Sequence, residues 1–143
     1  MRFLLAALLM LSVTFSAQAR DTEYHLKIGD LLQSAEYKDK VGSDVAFYFG
    51  SQPTPAVAQS FGAFVTNRKT NSVGRPDEQA CRWAMLSALV ELRSRALKLG
   101  GNAVVGIESY YRKRGVPSES EYVCHAGAII AGVALRGTVV KLR

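Results

Sequence analysis

The sequence lacks the short motifs that mark the commonest nucleotide-binding and catalytic sites. It has no G-x-x-x-x-G-K-[ST] phosphate loop and no C-x-x-C pair, so neither an ATP site nor a zinc-binding cysteine pair is indicated. It has no nucleophile elbow and no readable nucleophile–base spacing, which argues against a hydrolase. It also has no lysine-rich tail and no aromatic residues interleaved with its arginines, so we expect no nucleic-acid binding.

The sequence also lacks an apolar run long enough to span a bilayer. Its N-terminal run covers residues 3–15, which is shorter than the roughly 18 to 20 residues that a spanning helix needs. This run follows a short positively charged start and precedes an A-Q-A cleavage site at residues 17–19, a pattern typical of a secretory signal peptide. No cysteine near the site is available to carry a lipid. We therefore predict a signal peptide over residues 1–19 and a soluble, periplasmic protein that begins at Arg20 and has no lipid anchor.

Charge of one sign predominates only mildly. The 143-residue chain carries 18 Lys and Arg against 12 Asp and Glu, for a net charge of +6. Removal of the predicted signal peptide takes away only Arg2 among the charges and leaves enough chain for one domain. A balance of this size is typical of a well-solvated surface, and it also favours contact with anionic lipid headgroups or polyanions.

Cysteine is scarce, since Cys81 and Cys124 are the only two. In an exported chain such a pair is expected to form a disulfide. The bridge would join a predicted helix to a predicted strand. A redox-active pair is the alternative, but the close C-x-x-C spacing that favours it is absent.

Residues 76–99 predict one long amphipathic helix. Pro76 and Asp77 suit its first turn, and Gly100-Gly101 ends it because glycine adopts a left-handed cap without steric cost. Between them, apolar residues recur at spacings of three and four, the period of one helical face. These positions are Cys81, Met85, Ala88, Leu89, Leu92, Ala96 and Leu99. The stripe is wide for one small sheet to cover, which suggests an oligomer interface.

Short apolar segments separated by turn-forming residues predict strands. They cover residues 45–49, 60–66, 102–107, 122–135 and 137–140. Residues 20–40 and 67–74 are expected to be polar connections, and the loop at 112–117 is expected to close an antiparallel hairpin. The predicted fold class is α+β, with one principal helix packed on a mostly antiparallel β-sheet in a single small domain over residues 20–143.

The segment ALVELRSRALKLGGNAVVGI at residues 88–107, followed by GVALRGTVV at 132–140, resembles the YbjQ-type heavy-metal-binding family. Members of that family share an "ALxxLxxxAxxLGxNAVVG" pattern and a closing "GTAV" strand. A similar helix and "LGGNAV" turn, with cysteines in the helix and in a later strand, occurs in the outer-membrane stress-sensing lipoprotein of the Rcs phosphorelay. The resemblance covers roughly residues 76–140. Short exported chains of this kind are also sometimes labelled as an excinuclease ATPase subunit, a label that no motif here supports.

This resemblance implies a small α+β domain, ring-like oligomers in the YbjQ-type branch, and envelope signalling through protein contacts in the sensor branch. The chain departs from the sensor in two ways. It has no lipid-bearing cysteine, and it has two cysteines where the sensor uses two disulfides.

A metal site is the alternative use of the same residues. Cys124 and His125 are adjacent, Cys81 is expected nearby and His25 lies far upstream, which supplies ligand types for a divalent or soft transition metal without a characteristic spacing. Adjacent residues on a strand point to opposite faces, so Cys124 and His125 would share a metal only at an irregular stretch. Oxidation of Cys124 would remove its thiolate.

The loop that follows the strand at 102–107 offers the best candidate for a contact surface. Arg112, Lys113 and Arg114 concentrate positive charge beside the aromatic residues Tyr110 and Tyr111. A solvated loop that discourages aggregation is the alternative interpretation. The sequence as a whole predicts a periplasmic, non-enzymatic binding domain without a cofactor, linked to envelope stress or homeostasis. We expect it to self-associate and to contact an envelope protein or an anionic surface; the alternative is a periplasmic metal-binding protein.

Overall fold

The computed structural model describes residues 19–143. The predicted signal peptide therefore lies, except for its last residue, outside the described residues. Within residues 19–143, no helix is both long and apolar enough to cross a membrane.

Seven strands and three α-helices make up the described part of the chain. The strands are β1 (Thr22–Lys27), β2 (Ala46–Phe49), β3 (Val57–Asn71), β4 (Ala103–Ser109), β5 (Val116–Pro117), β6 (Glu121–Ala126) and β7 (Ile130–Leu142). The helices are α1 (Ile28–Gln33), α2 (Ala35–Lys40) and α3 (Asp77–Leu99). This composition confirms the predicted α+β class in a single small domain.

The long strand β7 organises a curled seven-stranded sheet. One edge of β7 pairs with β3 over its whole length, from Ile130 to Leu142. Its other edge pairs with β6 near Ala131 and with β4 from Leu135 to Val140. The path continues from β6 to β1 and from β4 to β2, and every pair is antiparallel except β2 with β4. The prediction of a mostly antiparallel sheet is thus confirmed.

Helix α3 packs across β3 and β7 and supplies much of the core. It begins at Asp77, immediately after Pro76, and ends at Gly100, which has φ +81°. The predicted start and stop of the helix are therefore confirmed. Its buried positions are Ala80, Cys81, Ala84, Met85, Leu86, Ala88, Leu89, Leu92 and Ala96. The flanks of the stripe are less covered, since Leu97 is 44% exposed.

The two cysteines lie where α3 crosses the sheet. Cys81 comes from the second turn of the helix and Cys124 from β6, and both are fully buried. Their sulfurs are 2.03 Å apart and their Cα atoms 5.8 Å apart. The pair lies at bonding distance, as the sequence predicts.

Three strand predictions need correction. Residues 67–74 are not a loop throughout, because β3 continues to Asn71 opposite Ile130. The apolar run at 122–135 is not one strand, because a turn in which Gly127 N donates to Ile130 O at 2.7 Å separates β6 from β7. Finally, residues 20–40 form β1, α1 and α2. For β1 and for the end of β3, pairing with a distant strand decided the outcome more than local polarity did.

The basic loop closes an antiparallel hairpin as predicted, but the second strand of that hairpin is the short β5 and not the strand predicted at 122–135. The other antiparallel partner of β4 is β7, and a second hairpin joins β6 to β7. The loop after β4 uses β5 to pair back onto β4 at Glu108 and Ser109. Strand β6 is linked to β4 through the Ser109 hydroxyl, which accepts from Val123 N at 2.9 Å.

Candidate binding surface

The basic residues predicted as a contact surface form a tight turn between β4 and β5. We call Arg112, Lys113 and Arg114 the basic turn. The turn runs from Tyr111 to Arg114. It is closed by Arg114 N, which donates to Tyr111 O at 3.0 Å, and it is attached to the sheet by Tyr110 N, which donates to Ala134 O at 2.8 Å.

Two successive residues of the basic turn adopt left-handed backbone. Arg112 has φ +50° and ψ +38°, and Lys113 has φ +61°. For residues with a Cβ, this conformation costs roughly 1 to 2 kcal/mol each. The antiparallel pairing of β4 with β5 offsets this cost, because Arg112 and Lys113 are the two central residues of the hairpin turn and the favoured two-residue turn has positive φ at both.

An aromatic stack supports the turn from below. The ring of Tyr111 lies on the ring of His125, with centroids 3.5 Å apart and planes 17° from parallel. His125 projects from β6, and its side chain is only 13% exposed. Because β6 lies between β1 and β7 in the sheet, the turn rests on an interior strand and not on a free edge.

Asp21 joins both aromatic rings to the N-terminal strand. Its Oδ1 lies 2.9 Å from His125 Nδ1, and its Oδ2 accepts from the Tyr111 hydroxyl at 3.0 Å. Burial works to raise the pKa of Asp21, but the hydrogen bonds from His125 and Tyr111 outweigh it and leave the pKa lowered. Asp21 therefore remains ionised and holds the stack in place.

A second carboxylate extends this network along β1. Glu23 Oε2 lies 3.9 Å from His125 Nε2, and Glu23 Oε1 lies 2.7 Å from His25 Nε2. His25 itself is half exposed and makes no contact with Cys81 or Cys124 among the described interactions.

The three cations of the basic turn differ in how far they are neutralised. Arg112 lies over the Tyr111 ring at 5.1 Å and 3.8 Å from Asp21, yet its side chain is 73% exposed. Within residues 19–143, Lys113 and Arg114 take part in no ion pair. Two positive charges thus remain available to a partner.

The Tyr111–His125 stack has an open cleft on each side. One cleft has a volume of about 330 Å³ and is lined by Ser109, Arg114 and Glu23 as well as by the stack. The other has a volume of about 280 Å³ and includes Asn67 and Lys69 of β3. The clefts place basic side chains beside a flat aromatic surface, together with the carboxylate of Asp21 in both clefts and that of Glu23 in the first.

Comparison with protein-family models, with curated proteins and with solved structures gives no match for this chain. The resemblance to the YbjQ-type family therefore stays a prediction from the sequence.

The structure does not bring all five predicted contact residues together. Tyr110 lies apart from Tyr111 and packs under Arg136, whose guanidinium is 4.4 Å from the ring centroid. Arg136 also pairs with Glu108. Arg136 and Glu108 border an open cleft of about 650 Å³. The predicted surface thus reduces to Tyr111 and the basic turn.

The residues predicted as alternative metal ligands are not arranged as a ligand set. The sulfurs of Cys81 and Cys124 are bonded to each other in the core. His125 lies on the opposite face of β6 from Cys124 and is bonded to Asp21. Among the residues from 19 onward, no group of three or more His, Cys, Asp or Glu side chains is placed to hold a metal ion.

Sequence reasoning missed Asp21 and Glu23, which complete the network. A signal was present, because polar Glu23, His25 and Lys27 alternate with the less exposed Tyr24 and Leu26. That alternation predicts a strand. Its register opposite β6, which sets Glu23 against His125, is a tertiary feature.

Proposed function

We propose that this chain is an exported, non-enzymatic domain that binds an anionic partner in the cell envelope through the basic turn. The observation that carries the proposal is the exposed turn between β4 and β5, which projects Lys113 and Arg114, unpaired within residues 19–143, from a supported aromatic platform.

The platform gives the backbone of the basic turn a fixed position. Asp21 is hydrogen-bonded to both Tyr111 and His125, and the rings of Tyr111 and His125 are stacked. The turn that follows Tyr111 is therefore attached to β6 and to the residue that precedes β1. Cations that are held in place lose less conformational freedom on binding than those on a mobile loop. The Cys81–Cys124 pair is compatible with an oxidising compartment, which supports the exported setting.

The resemblance noted from the sequence agrees with this proposal. In its sensor branch, that resemblance implies envelope signalling through protein contacts.

The test is sedimentation of the protein with phosphatidylcholine vesicles that contain or lack phosphatidylglycerol. We expect binding only to the anionic vesicles and weaker binding as salt is raised. Each basic residue near such a surface contributes roughly 1 kcal/mol, so the triple variant Arg112→Glu, Lys113→Glu, Arg114→Glu should bind at least about a hundredfold more weakly.

A matched control changes net charge by the same amount elsewhere. Lys38, Lys98 and Lys141 are exposed and form no ion pair within residues 19–143. Their reversal to Glu should weaken binding far less than reversal of the basic turn. Equal loss in the two triple variants would show that net charge, and not the basic turn, determines binding. Equal binding of wild type to both kinds of vesicle would remove the anionic surface as a partner.

A further inference from the structure

Among the residues that the structure describes, no strand pairs with the outer edge of the long strand β3. β3 has 15 residues and pairs with β7 on one side. An exposed edge of this length presents a row of backbone donors and acceptors that can pair with another strand.

The register identifies which backbone groups face outward. Ser72 N donates to Ile129 O at 2.9 Å, which makes this a hydrogen-bonded position of the antiparallel ladder. The pairing continues without a shift back to Ala63 opposite Thr138. Because bonded positions alternate, the even-numbered residues of β3 bond to β7. The N–H and C=O groups of the odd-numbered residues Ala63, Val65, Asn67 and Lys69 therefore point away from the sheet.

The sequence of this edge is compatible with pairing over its second half. The register shifts of β3 are confined to residues 57–62, so residues 62–71 form a regular strand. No proline interrupts β3. Val65, in the middle of β3, is 55% exposed, a large fraction for a β-branched residue.

The positions of the charges favour one pairing geometry. The charged residues of β3 are Arg68 and Lys69, which lie together near its C-terminal end, and β3 has no acidic residue. Parallel pairing of two copies in register would place these cations beside their counterparts. Antiparallel pairing about a two-fold axis near Thr66 instead sets Lys69 opposite Ala63 and Arg68 opposite Phe64. Like charges are then separated, and each cation faces an apolar side chain.

We propose that β3 pairs with β3 of a second copy of this chain, antiparallel and two-fold symmetric about Thr66. The outward amides of Val65 and Asn67 then exchange hydrogen bonds across the axis, and the two sheets become continuous. A two-fold axis produces an antiparallel pair from identical edges, so the geometry favoured by the charges is also the one that symmetry allows. The proposal goes beyond the anionic-partner function because it uses the edge of β3 and not the basic turn.

Light scattering with size-exclusion chromatography, on the chain that begins at Arg20, should give twice the monomer mass. Backbone hydrogen exchange supplies a second readout that does not depend on any variant. We expect slow exchange at the amides of Ala63, Val65, Asn67 and Lys69, with protection falling on dilution. A monomer whose four amides exchange at unprotected rates would overturn the proposal.

Variants distinguish this edge from other modes of association. Val65→Pro removes an outward N–H and leaves the bonds between β3 and β7 in place, since proline is tolerated on edge strands where the N–H faces solvent. We expect it to weaken dimerisation at least about tenfold. Val65→Ala is the matched control because it shortens the same side chain but keeps the amide. A folded Val65→Pro variant that dimerises as well as Val65→Ala would contradict pairing through β3.

The dimerisation experiment and the vesicle experiment can contradict their two proposals separately. The triple variant of the basic turn should dimerise like wild type, and Val65→Pro should still respond to phosphatidylglycerol. Capture of an acidic peptide by a chain that stays monomeric would assign the edge of β3 to a different partner and overturn self-pairing.

Discussion

Asp77 illustrates how one side chain joins the N-terminal segment to the principal helix. Its carboxylate accepts from Arg20 at 2.8 and 3.1 Å and from the Tyr24 hydroxyl at 2.7 Å. Arg20 also donates to Gly127 O in the turn between β6 and β7. Asp77 is the first residue of α3, where negative charge is favoured by the helix dipole. Arg20, which is predicted to begin the mature chain, is thus hydrogen-bonded to both the helix and the turn between β6 and β7.

The pKa of Asp77 makes this contact pH-dependent. The hydrogen bonds from Arg20 and Tyr24 lower the pKa of Asp77 from 3.8 to about 2. A carboxylate whose pKa is lowered by folding stabilises the protein above its unfolded pKa, and that contribution is lost as pH falls through the folded pKa. Asp77→Asn should therefore lower the Tm at neutral pH, and the difference from wild type should close between pH 3.8 and about 2.

Thermal unfolding followed by circular dichroism at stepped pH measures this difference. Glu78→Gln is the control, because Glu78 is the neighbouring first-turn carboxylate and forms no ion pair within residues 19–143. A difference in Tm between Asp77→Asn and wild type that persisted below about pH 2 would show that the contact does not stabilise the protein through the carboxylate charge.

At the scale of elements, the end of α3 depends on backbone conformation. Gly100 has φ +81° and ψ +14°, and its N–H bonds back to Ala96 O and Leu97 O. Gly101 follows in close contact, since a Cβ there would lie 2.8 Å from Val139 Cγ1. The first glycine allows the chain to reverse, and the second allows it to pass beside β7.

Substitution of Gly100 tests the first of these roles. Gly100→Ala should destabilise the protein by about 1 kcal/mol, because alanine is strained in the left-handed region. Gly29→Ala is the matched control: Gly29 lies in α1 with nothing within 4 Å of a Cβ and no positive φ. It should leave stability unchanged or raise it by about 0.5 kcal/mol. Urea unfolding of both variants measures the contrast, and equal effects would rule out the conformational explanation.

The strands show where local sequence is a sufficient guide and where it is not. The helix start, the glycine stop and β4 follow from Pro76, Gly100 and the apolar run after Asn102. The extension of β3 through Arg68 and Lys69 does not, because these residues are polar and join the sheet only through β7. The turn at Gly127 also escapes local analysis, because residues 126–135 contain no polar residue that would mark the position of the turn.

At the scale of the whole molecule, the Cys81–Cys124 pair connects the helix to the β1–β6 side of the sheet. The two residues are separated by 43 positions in the chain. Closing a loop of this length removes unfolded-state entropy worth roughly 4 kcal/mol. That is a large share of the roughly 5 to 15 kcal/mol by which domains are stable.

The variant Cys81→Ala/Cys124→Ala should lose about this amount of stability in urea unfolding. A reductant should lower the urea concentration at which wild type unfolds, and it should not change the urea concentration at which the double variant unfolds. A wild-type protein that unfolds at the same urea concentration with and without reductant, while free thiols are verified, would show that the bridge contributes little.

The sequence by itself determined the α+β class, the bounds of the principal helix, and the pairing of the only two cysteines. The class and the helix bounds follow from apolar periodicity and from the conformational preferences of glycine and proline, which act over a few residues. The cysteine pairing follows because two cysteines allow only one intramolecular disulfide. The tertiary structure alone decided the rest. It placed β1 beside β6, so that Asp21 and Glu23 reach His125. It also paired β4 with β7 and left β3 on an edge. Strand order and register depend on contacts between residues far apart in the chain, and short-range patterns do not encode which distant strand a given strand will meet.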